Sequence, residues 1–409
     1  MSQQREFDVI IWGASGFTGR LVAEYIFKTY GVGDSLKWAM GGRNQSKLEQ
    51  VRNEVATPSV PLVIADSQDE ASLEAMVQRT KVICTTVGPY AKYGSKLVAA
   101  CVAHQTDYCD LTGEVQWMRR MIDQHHEAAK ANGTKIVHTC GVDSIPSDMG
   151  VYFIQQQAQA RSGQRAKQIK MRVGAFRGGV SGGTYASLSN VRLEAEKDKR
   201  IYKTLFNPYG LNPRGEDQGP DKNDLMKVVY DETAKSWIFP FIMASINTRV
   251  VRRSNALAGY PYGKDFRYEE AMMGGDGFGG RMKAMGAALP LGLMMSAKPG
   301  SMLKKVFDRL LPKPGEGPDK ATRESGFYKF KFYTTLEDGS TAMGIVTGDK
   351  DPGYGSTCKM LAESAICLAK DELPEGGGVL TPATAMGDAL LTRLSEKAGL
   401  TFSFEVLEA

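Results

Sequence analysis

Gly13-Ala-Ser-Gly16-Phe-Thr-Gly19 follows directly on the apolar run Val9-Ile-Ile-Trp12. A short apolar run, a glycine-rich turn and then a helix make up the phosphate-binding turn of a dinucleotide fold. The glycines let the backbone bend tightly and approach a pyrophosphate, whose charge is met by N–H groups at the helix start. Thr18 to Tyr30 reads as that helix. The next strand-like run, Ser35 to Met40, ends in Gly41-Gly42-Arg43. Sites that take NAD carry a carboxylate near this position for the ribose 2′-OH. Arg43 offers instead a planar fork of donors suited to a 2′-phosphate, so NADP(H) is the expected cofactor. Asp34 has roughly the spacing of the acid but lies before the strand, as a turn residue would.

With 409 residues the chain suits two or three domains. A hydrophobic share of 42% and a charged share of 24% are those of a globular protein and exclude extensive disorder. The net charge of +5 is modest for this size and does not call for nucleic acid. Cys84, Cys101, Cys109, Cys140, Cys358 and Cys367 lack the spacing of a disulfide framework or a metal site. A reducing compartment and no metal are expected. The N-terminus has no apolar signal region, so the expected location is the cytoplasm, with peripheral attachment to a membrane or lipid surface left open.

Strand and helix signals alternate through the first part, as a parallel sheet with crossover helices requires. Val9 to Trp12, Leu36 to Met40, Pro61 to Ala65, Lys81 to Thr86 and Lys135 to His138 read as its main strands, with a short one near Tyr108. Helices are expected at Ser46 to Val55, with Ser46 and Glu49 as a capping box, at Gly94 to His104 and at Val115 to Asn132. Residues 1–148 thus form an α/β Rossmann-type NADP-binding domain. Beyond Pro146 the pattern changes. Ile169 to Phe176, Ala244 to Arg252, Gly326 to Leu336 and Ser340 to Gly348 have strand character, the last two joined by the turn Glu337-Asp-Gly339. Residues 149–350 therefore read as a second, α+β domain with a mixed or antiparallel sheet, for substrate or dimerisation. Helices at Ser356 to Ala369 and Pro382 to Ala398, within 351–409, are expected to pack back on the first domain.

The residues expected to line the cofactor are Gly13, Ala14, Ser15, Gly16, Phe17, Thr18, Gly19 and Arg43, then Asp66 after the third strand and Thr86, Val87, Gly88 and Pro89 after the fourth. Asp66 is placed either to approach the adenine or to cap a helix with Ser67. Cys140 opens the loop after Lys135 to His138 and is counted with the cofactor residues, although a buried small residue is the plainer reading of a cysteine there.

The combination of Gly13 to Gly19, Thr86-Val-Gly-Pro-Tyr90, Asp107-Tyr-Cys-Asp-Leu-Thr-Gly-Glu114 and Cys140-Gly-Val-Asp-Ser-Ile-Pro-Ser-Asp148 resembles the saccharopine dehydrogenase-like oxidoreductases. Ser181-Gly-Gly-Thr184, Pro314-Gly-Glu-Gly-Pro318 and Asp351-Pro-Gly-Tyr-Gly-Ser-Thr-Cys-Lys359 resemble more narrowly its trans-acting enoyl reductase branch, and the match runs over nearly the whole chain. That resemblance implies NADPH-dependent reduction of a carbon–carbon double bond on an acyl or polyketide chain, supplied in trans to a synthase lacking the activity. Two other readings stand beside it: an imine or amino-acid oxidoreductase of the broader family, and a non-catalytic lipid-surface protein with a retained nucleotide site. A shared fold does not by itself choose among them.

Reduction of an enoyl thioester delivers hydride to the β-carbon, leaving an enolate that a donor must meet before the α-carbon is protonated. Tyr90, Tyr93, Ser144 and Thr184 are the candidates, with Tyr90 best placed in the loop ending the fourth strand. Asp143 and Asp148 flank Ser144-Ile-Pro146, which reads as a helix start and also as a ligand contact at a domain junction. Tyr260-Pro-Tyr-Gly-Lys264 has the Tyr-x-x-x-Lys spacing of short-chain reductases, but Pro261 and Gly263 oppose the helix such a pair needs.

Ala284 to Ala297 is the most apolar stretch outside the strands, too short to span a bilayer and interrupted by Pro290. After it Met302, Leu303, Val306, Phe307, Leu310 and Leu311 recur at helical spacing among Lys304, Lys305 and Arg309. A core helix or dimer face, a lid over an acyl chain and a membrane-surface element all fit. The expected partners are accordingly an acyl or polyketide substrate, a carrier or synthase presenting it, a second copy of the chain and a peripheral membrane surface.

Overall fold

The computed structural model describes residues 5–178, 182–297, 300–310 and 317–407. Strands β1 (Phe7–Trp12), β2 (Trp38–Gly42), β3 (Leu62–Ile64), β4 (Thr80–Thr85), β5 (Asp107–Cys109) and β6 (Lys135–Val137) pair in parallel. Every residue of β1 is buried, as in a sheet covered on both faces by helices. The spatial order 3-2-1-4-5-6 puts the reversal of winding between β1 and β4, so their carboxyl ends open the crevice in which such sheets bind ligands.

A second sheet is built from β7 (Ala166–Arg177), β8 (Val229–Asp231), β9 (Ser236–Phe239), β10 (Arg267–Gly275), β11 (Phe327–Leu336) and β12 (Thr341–Gly348). It is mixed, with β7 and β10 parallel and the other neighbours antiparallel. The hairpin of β11 and β12 expected from the sequence turns at Gly339, whose φ of +90° suits glycine, and its strands alternate buried and partly buried residues. The chain after 350 serves both sheets. β13 (Gly378–Leu380) pairs with β6 in the first, and β14 (Leu400–Leu407) pairs with β12 in the second.

Residues 244–252 are not a strand but part of a helix, Ala244–Leu257. Their β-branched content suggests a strand, yet Ile246 and Val250 lie four apart on one helical face. The arginines of this helix are buried: Arg252 Nε donates to Asp221 at 2.7 Å, and Arg253 donates to the carbonyls of Leu211 and Val379, both at 2.5 Å. Two caps also differ. Asn44, not Ser46, accepts the N–H of Lys47 at 2.9 Å to start the helix Gln45–Val55. Asp69, not Asp66 with Ser67, caps Glu70–Val77.

The helix Ile145–Ser162 starts at Ser144 with Pro146 in its first turn, as expected, and joins the sheets. A Cβ on Gly150 would stand 2.8 Å from Phe332 and 3.2 Å from Val346, so this helix lies close on the second sheet because no side chain intervenes. The helix Thr357–Lys370 packs on β1, β4, β5 and the helix Phe17–Tyr30. One apolar cluster consequently runs from Val9 and Ile11 in the first sheet to Phe332 and Val346 in the second.

Candidate functional site

Gly13 leaves β1 with a φ of +89°, and a Cβ there would meet Val87 at 2.7 Å and Thr86 at 2.9 Å. At Gly19 a Cβ would stand 2.2 Å from the Gly13 carbonyl oxygen, so the helix rests on the turn only because that residue has no side chain. Among the described residues no side chain caps the N-terminus at Gly16. The first-turn N–H groups are left for an anion. Thr86 N donates to Trp12 O at 3.0 Å, drawing the loop 86–90 against the turn.

Arg43 is exposed just past β2 and has no hydrogen-bond or ion-pair partner among the described residues. Ala65 N donates to Gly42 O at 3.3 Å, which sets Asp66 beside it. Asp66 spends one carboxylate oxygen on Gln68 N, 3.0 Å away in its own loop. A pyrophosphate with a 2′-phosphorylated ribose fits these residues: a turn that tolerates no side chain, uncapped N–H groups and a free guanidinium. Phe17 is braced by Tyr354, edge-on at 4.7 Å, and by the guanidinium groups of Arg20 and Arg323 at 5.7 and 5.4 Å. Asp351 holds Tyr354 there by accepting the N–H groups of Tyr354 and Gly355 at 3.1 and 2.8 Å. The motif 351–359 thus reaches the glycine turn from the far end of the chain.

The sequence favours Tyr90 as the catalytic donor, but its geometry is structural. The residue is buried, its hydroxyl donates to Thr85 O at 3.2 Å and accepts from Leu111 N at 3.4 Å, and its ring stacks on Trp117. Burial, then the charge of Asp110, pushes the phenol well above its ordinary range. Ser144 is likewise buried and donates to Asn247 Oδ1 at 3.1 Å, with Asn247 in turn donating to Glu270 at 2.9 Å. It ties the two domains together rather than facing a ligand. The Cys140 thiol lies in the core, pushed up by burial, and only its backbone is engaged at the crevice, where N–H donates to Asp110 O at 2.7 Å. Thr184 lies in the helix Gly182–Lys197, but its side chain, like the whole of Ser181 and residues 314–316, is outside the described residues. Tyr260 stands in a turn after the helix Ala244–Leu257, with φ of +64° and its hydroxyl on Glu216, so the pair with Lys264 is not helical.

Other residues organise the crevice. Glu114 accepts Tyr90 N at 2.8 Å, Ala91 N at 3.0 Å and Ser187 Oγ at 3.0 Å, linking the loop after β4 to the second domain. Asp110 accepts Tyr108 Oη at 2.8 Å and the N–H groups of Thr112 and Thr139 at 3.0 and 3.1 Å, and it pairs with His138 Nδ1 at 2.8 Å. The loops after β5 and β6 are thereby tied together, and Thr139 is held at a φ of +62° that a β-branched residue seldom adopts. Carboxylates just past strand ends were the available signal for Asp110 and Glu114. Ser187 carried none. Asp143, half-buried on the loop leaving β6, has its carboxyl stabilised only by its own backbone N–H among the described residues, and burial, reinforced by Asp110, raises its pKa to about 7. Val142 N fixes that loop by donating to Thr357 Oγ1 at 3.0 Å. Tyr93 keeps its side chain exposed at the end of the turn of helix that follows Pro89.

Residues 9–137 match the model of the saccharopine dehydrogenase NADP-binding domain. A putative trans-acting enoyl reductase of Mycobacterium tuberculosis is 40% identical over 95% of this chain and 96% of its own length. A trans-acting enoyl reductase of Mycobacterium ulcerans is 38% identical over 97% of each. Among solved structures, apo saccharopine dehydrogenase (L-Glu forming) of Saccharomyces cerevisiae aligns with a TM-score of 0.54 at 14% identity, covering 98% of this chain and 100% of that one. The homospermidine synthase of Legionella pneumophila in complex with NAD aligns with a TM-score of 0.55 at 9% identity, covering 99% and 92%. These two likenesses speak to fold. The glycine turn and Arg43 suit NADP(H), the matched domain is of that kind, and the chain belongs to the trans-acting enoyl reductase branch of the saccharopine dehydrogenase-like NADP-dependent oxidoreductases.

Proposed function

We propose that the protein reduces the double bond of an α,β-unsaturated acyl or polyketide chain presented in trans by a carrier or synthase. The observation that carries the reading is a juxtaposition: Arg43, without a partner among the described residues, and an uncapped glycine turn share one sheet edge with Asp143, a carboxyl whose pKa burial raises to about 7. The names borne by the relatives support the choice of an enoyl substrate.

The helix N-terminus at 16–18 would hold the pyrophosphate, Arg43 the 2′-phosphate, and the loop 86–89 would stand beside the rest of the dinucleotide. Bound there, NADPH supplies the hydride. Asp143 delivers the proton to the substrate α-carbon, and the exposed hydroxyl of Tyr93 is the donor for the acyl carbonyl oxygen. Glu114 positions Tyr93 by fixing the backbone of Tyr90 and Ala91 at the start of its helical turn, and Thr357 positions Asp143 by accepting the N–H of Val142.

NADPH oxidation should be followed with enoyl thioesters and, separately, with 2-oxo acids plus amines. Turnover with the enoyl thioesters is expected. Turnover confined to the oxo acids and amines would sink the proposal. Loss of a charge-assisted hydrogen bond costs about 1.5–3 kcal/mol, so Arg43→Ala should weaken NADPH binding about 10- to 100-fold and leave NADH binding unchanged. An equal loss for both cofactors would remove Arg43 from the 2′-phosphate.

A further inference from the structure

The apolar stretch noted in the sequence lies in a helix, Gly277–Ser296, started by Asp276, and is followed by a second helix, Met302–Leu310. In the first, Phe278, Met282, Met285, Leu289 and Leu293 recur at intervals of three and four residues and are 42–78% exposed. They form one stripe along the helix. Its opposite face is used up by the second sheet: Ala284 is buried, and a Cβ on Gly274 of β10 would stand 2.8 Å from the Ala284 Cβ. In the second helix Met302, Val306 and Leu310 repeat every four residues at 47–82% exposure. These are not core helices.

Charge decides among the remaining occupants. The described residues of 276–310 include Arg281, Lys283, Lys304, Lys305 and Arg309 against Asp276 and Asp308, which is three of the five net positive charges of the chain. A symmetric dimer through this face would set the patch against itself, cations facing cations. An acidic protein could meet the cations, but residues 284–297 carry no charge at all and would need a matching uncharged groove. A bilayer surface offers both, hydrocarbon for the stripe and phosphates for the cations beside it. Among the described residues no helix is long and apolar enough to cross a membrane, so contact would be with one leaflet.

We infer that this face docks the protein on an anionic lipid bilayer, with the Phe278 to Leu293 stripe and Met302, Val306 and Leu310 entering the headgroup layer. This docking stands apart from the reduction chemistry and is measured without substrate.

The test is co-sedimentation of the full-length protein with vesicles of phosphatidylcholine alone and of phosphatidylcholine with phosphatidylglycerol. Partition onto the anionic vesicles is expected, weakening with salt. Leu289→Ser with Leu293→Ser should lower it about tenfold or more, and Lys305→Gln about fivefold, the effect of one cation near a charged leaflet. All these side chains are outside the nucleotide site, so NADPH affinity should be unchanged and reports that the variants are folded. Absence of binding to anionic vesicles at low salt, or binding that these substitutions leave intact, overturns the inference. So does a dimer, detected by light scattering, that the leucine substitutions split, or saturable binding to an acidic carrier protein in place of vesicles.

Discussion

Asp143 and Tyr90 stand on the loops after β6 and β4, on either side of the loop after β5, yet their surroundings give them opposite tasks. Burial and the charge of Asp110 outweigh the one backbone N–H, its own, that stabilises the Asp143 anion, and its pKa of about 7 leaves it protonated below neutrality and ionised above. If it delivers the proton, kcat declines as pH rises through about 7. Asp143→Asn should abolish that limb and lower kcat by about 10²–10⁴, with NADPH binding retained, as measured by stopped-flow and titration. Tyr90 has both hydroxyl functions engaged by backbone. Tyr90→Phe should therefore cost about 1 kcal/mol of stability with kcat nearly unchanged. A loss of kcat in Tyr90→Phe as deep as in Asp143→Asn would return the phenol to the chemistry.

At the scale of elements, the same substitution has opposite signs in two helices. Gly150→Ala gains helix propensity of about 1 kcal/mol but drives a methyl into Phe332 and Val346, an overpacking of about 1–3 kcal/mol, so the urea midpoint should fall. At Gly286, in the helix Gly277–Ser296, a Cβ would meet nothing within 4 Å, and Gly286→Ala should raise the midpoint. A rise for both would mean the first helix does not lie as close on its sheet as described. Elements like these differ in how far sequence betrays them. β1, the glycine turn and the Asp338-Gly339 hairpin are legible because local residues dictate them. Residues 244–252 mislead because burial of the arginines of their helix, with Arg253 reaching a partner as distant as Val379, overrides a β-branched composition. β13 is three residues, Gly378-Val-Leu380, at the end of a glycine run, and its pairing partner is the edge of β6. The site divides the same way. The phosphate turn and Arg43 follow from local order, whereas the burial of Tyr90 and the bond from Ser187 to Glu114 depend on contacts between distant segments.

For the molecule as a whole, two buried carboxyls at the junction of the domains add to the response to pH that Asp107 and Asp143, also raised by burial, share. Asp148 accepts from Ser254 Oγ and Ala383 N at 2.5 and 2.9 Å, and Glu270 accepts from Tyr268 and Asn247 at 2.8 and 2.9 Å. Burial raises each to about 7. Unfolded, they would ionise near pH 4, so the native state keeps protons that the unfolded state releases between about pH 4 and 7. Their contribution is complete below that window and is lost as pH rises through it. The urea midpoint should accordingly fall from about pH 5 to 8, and Asp148→Asn with Glu270→Gln should flatten the fall; an unaltered slope would place the protons elsewhere. Asp231, held low against its burial by Arg172, limits stability on the acid side. The pairing of β13 with β6 also bears on how the chain is made. On the ribosome, β6 emerges roughly 240 residues before the strand that covers it, and until then its edge is open to any passing chain. A nascent or prematurely terminated product would carry the whole phosphate turn and Arg43 while lacking its clasp, and its first failing would be to aggregate rather than to lose its grip on the nucleotide.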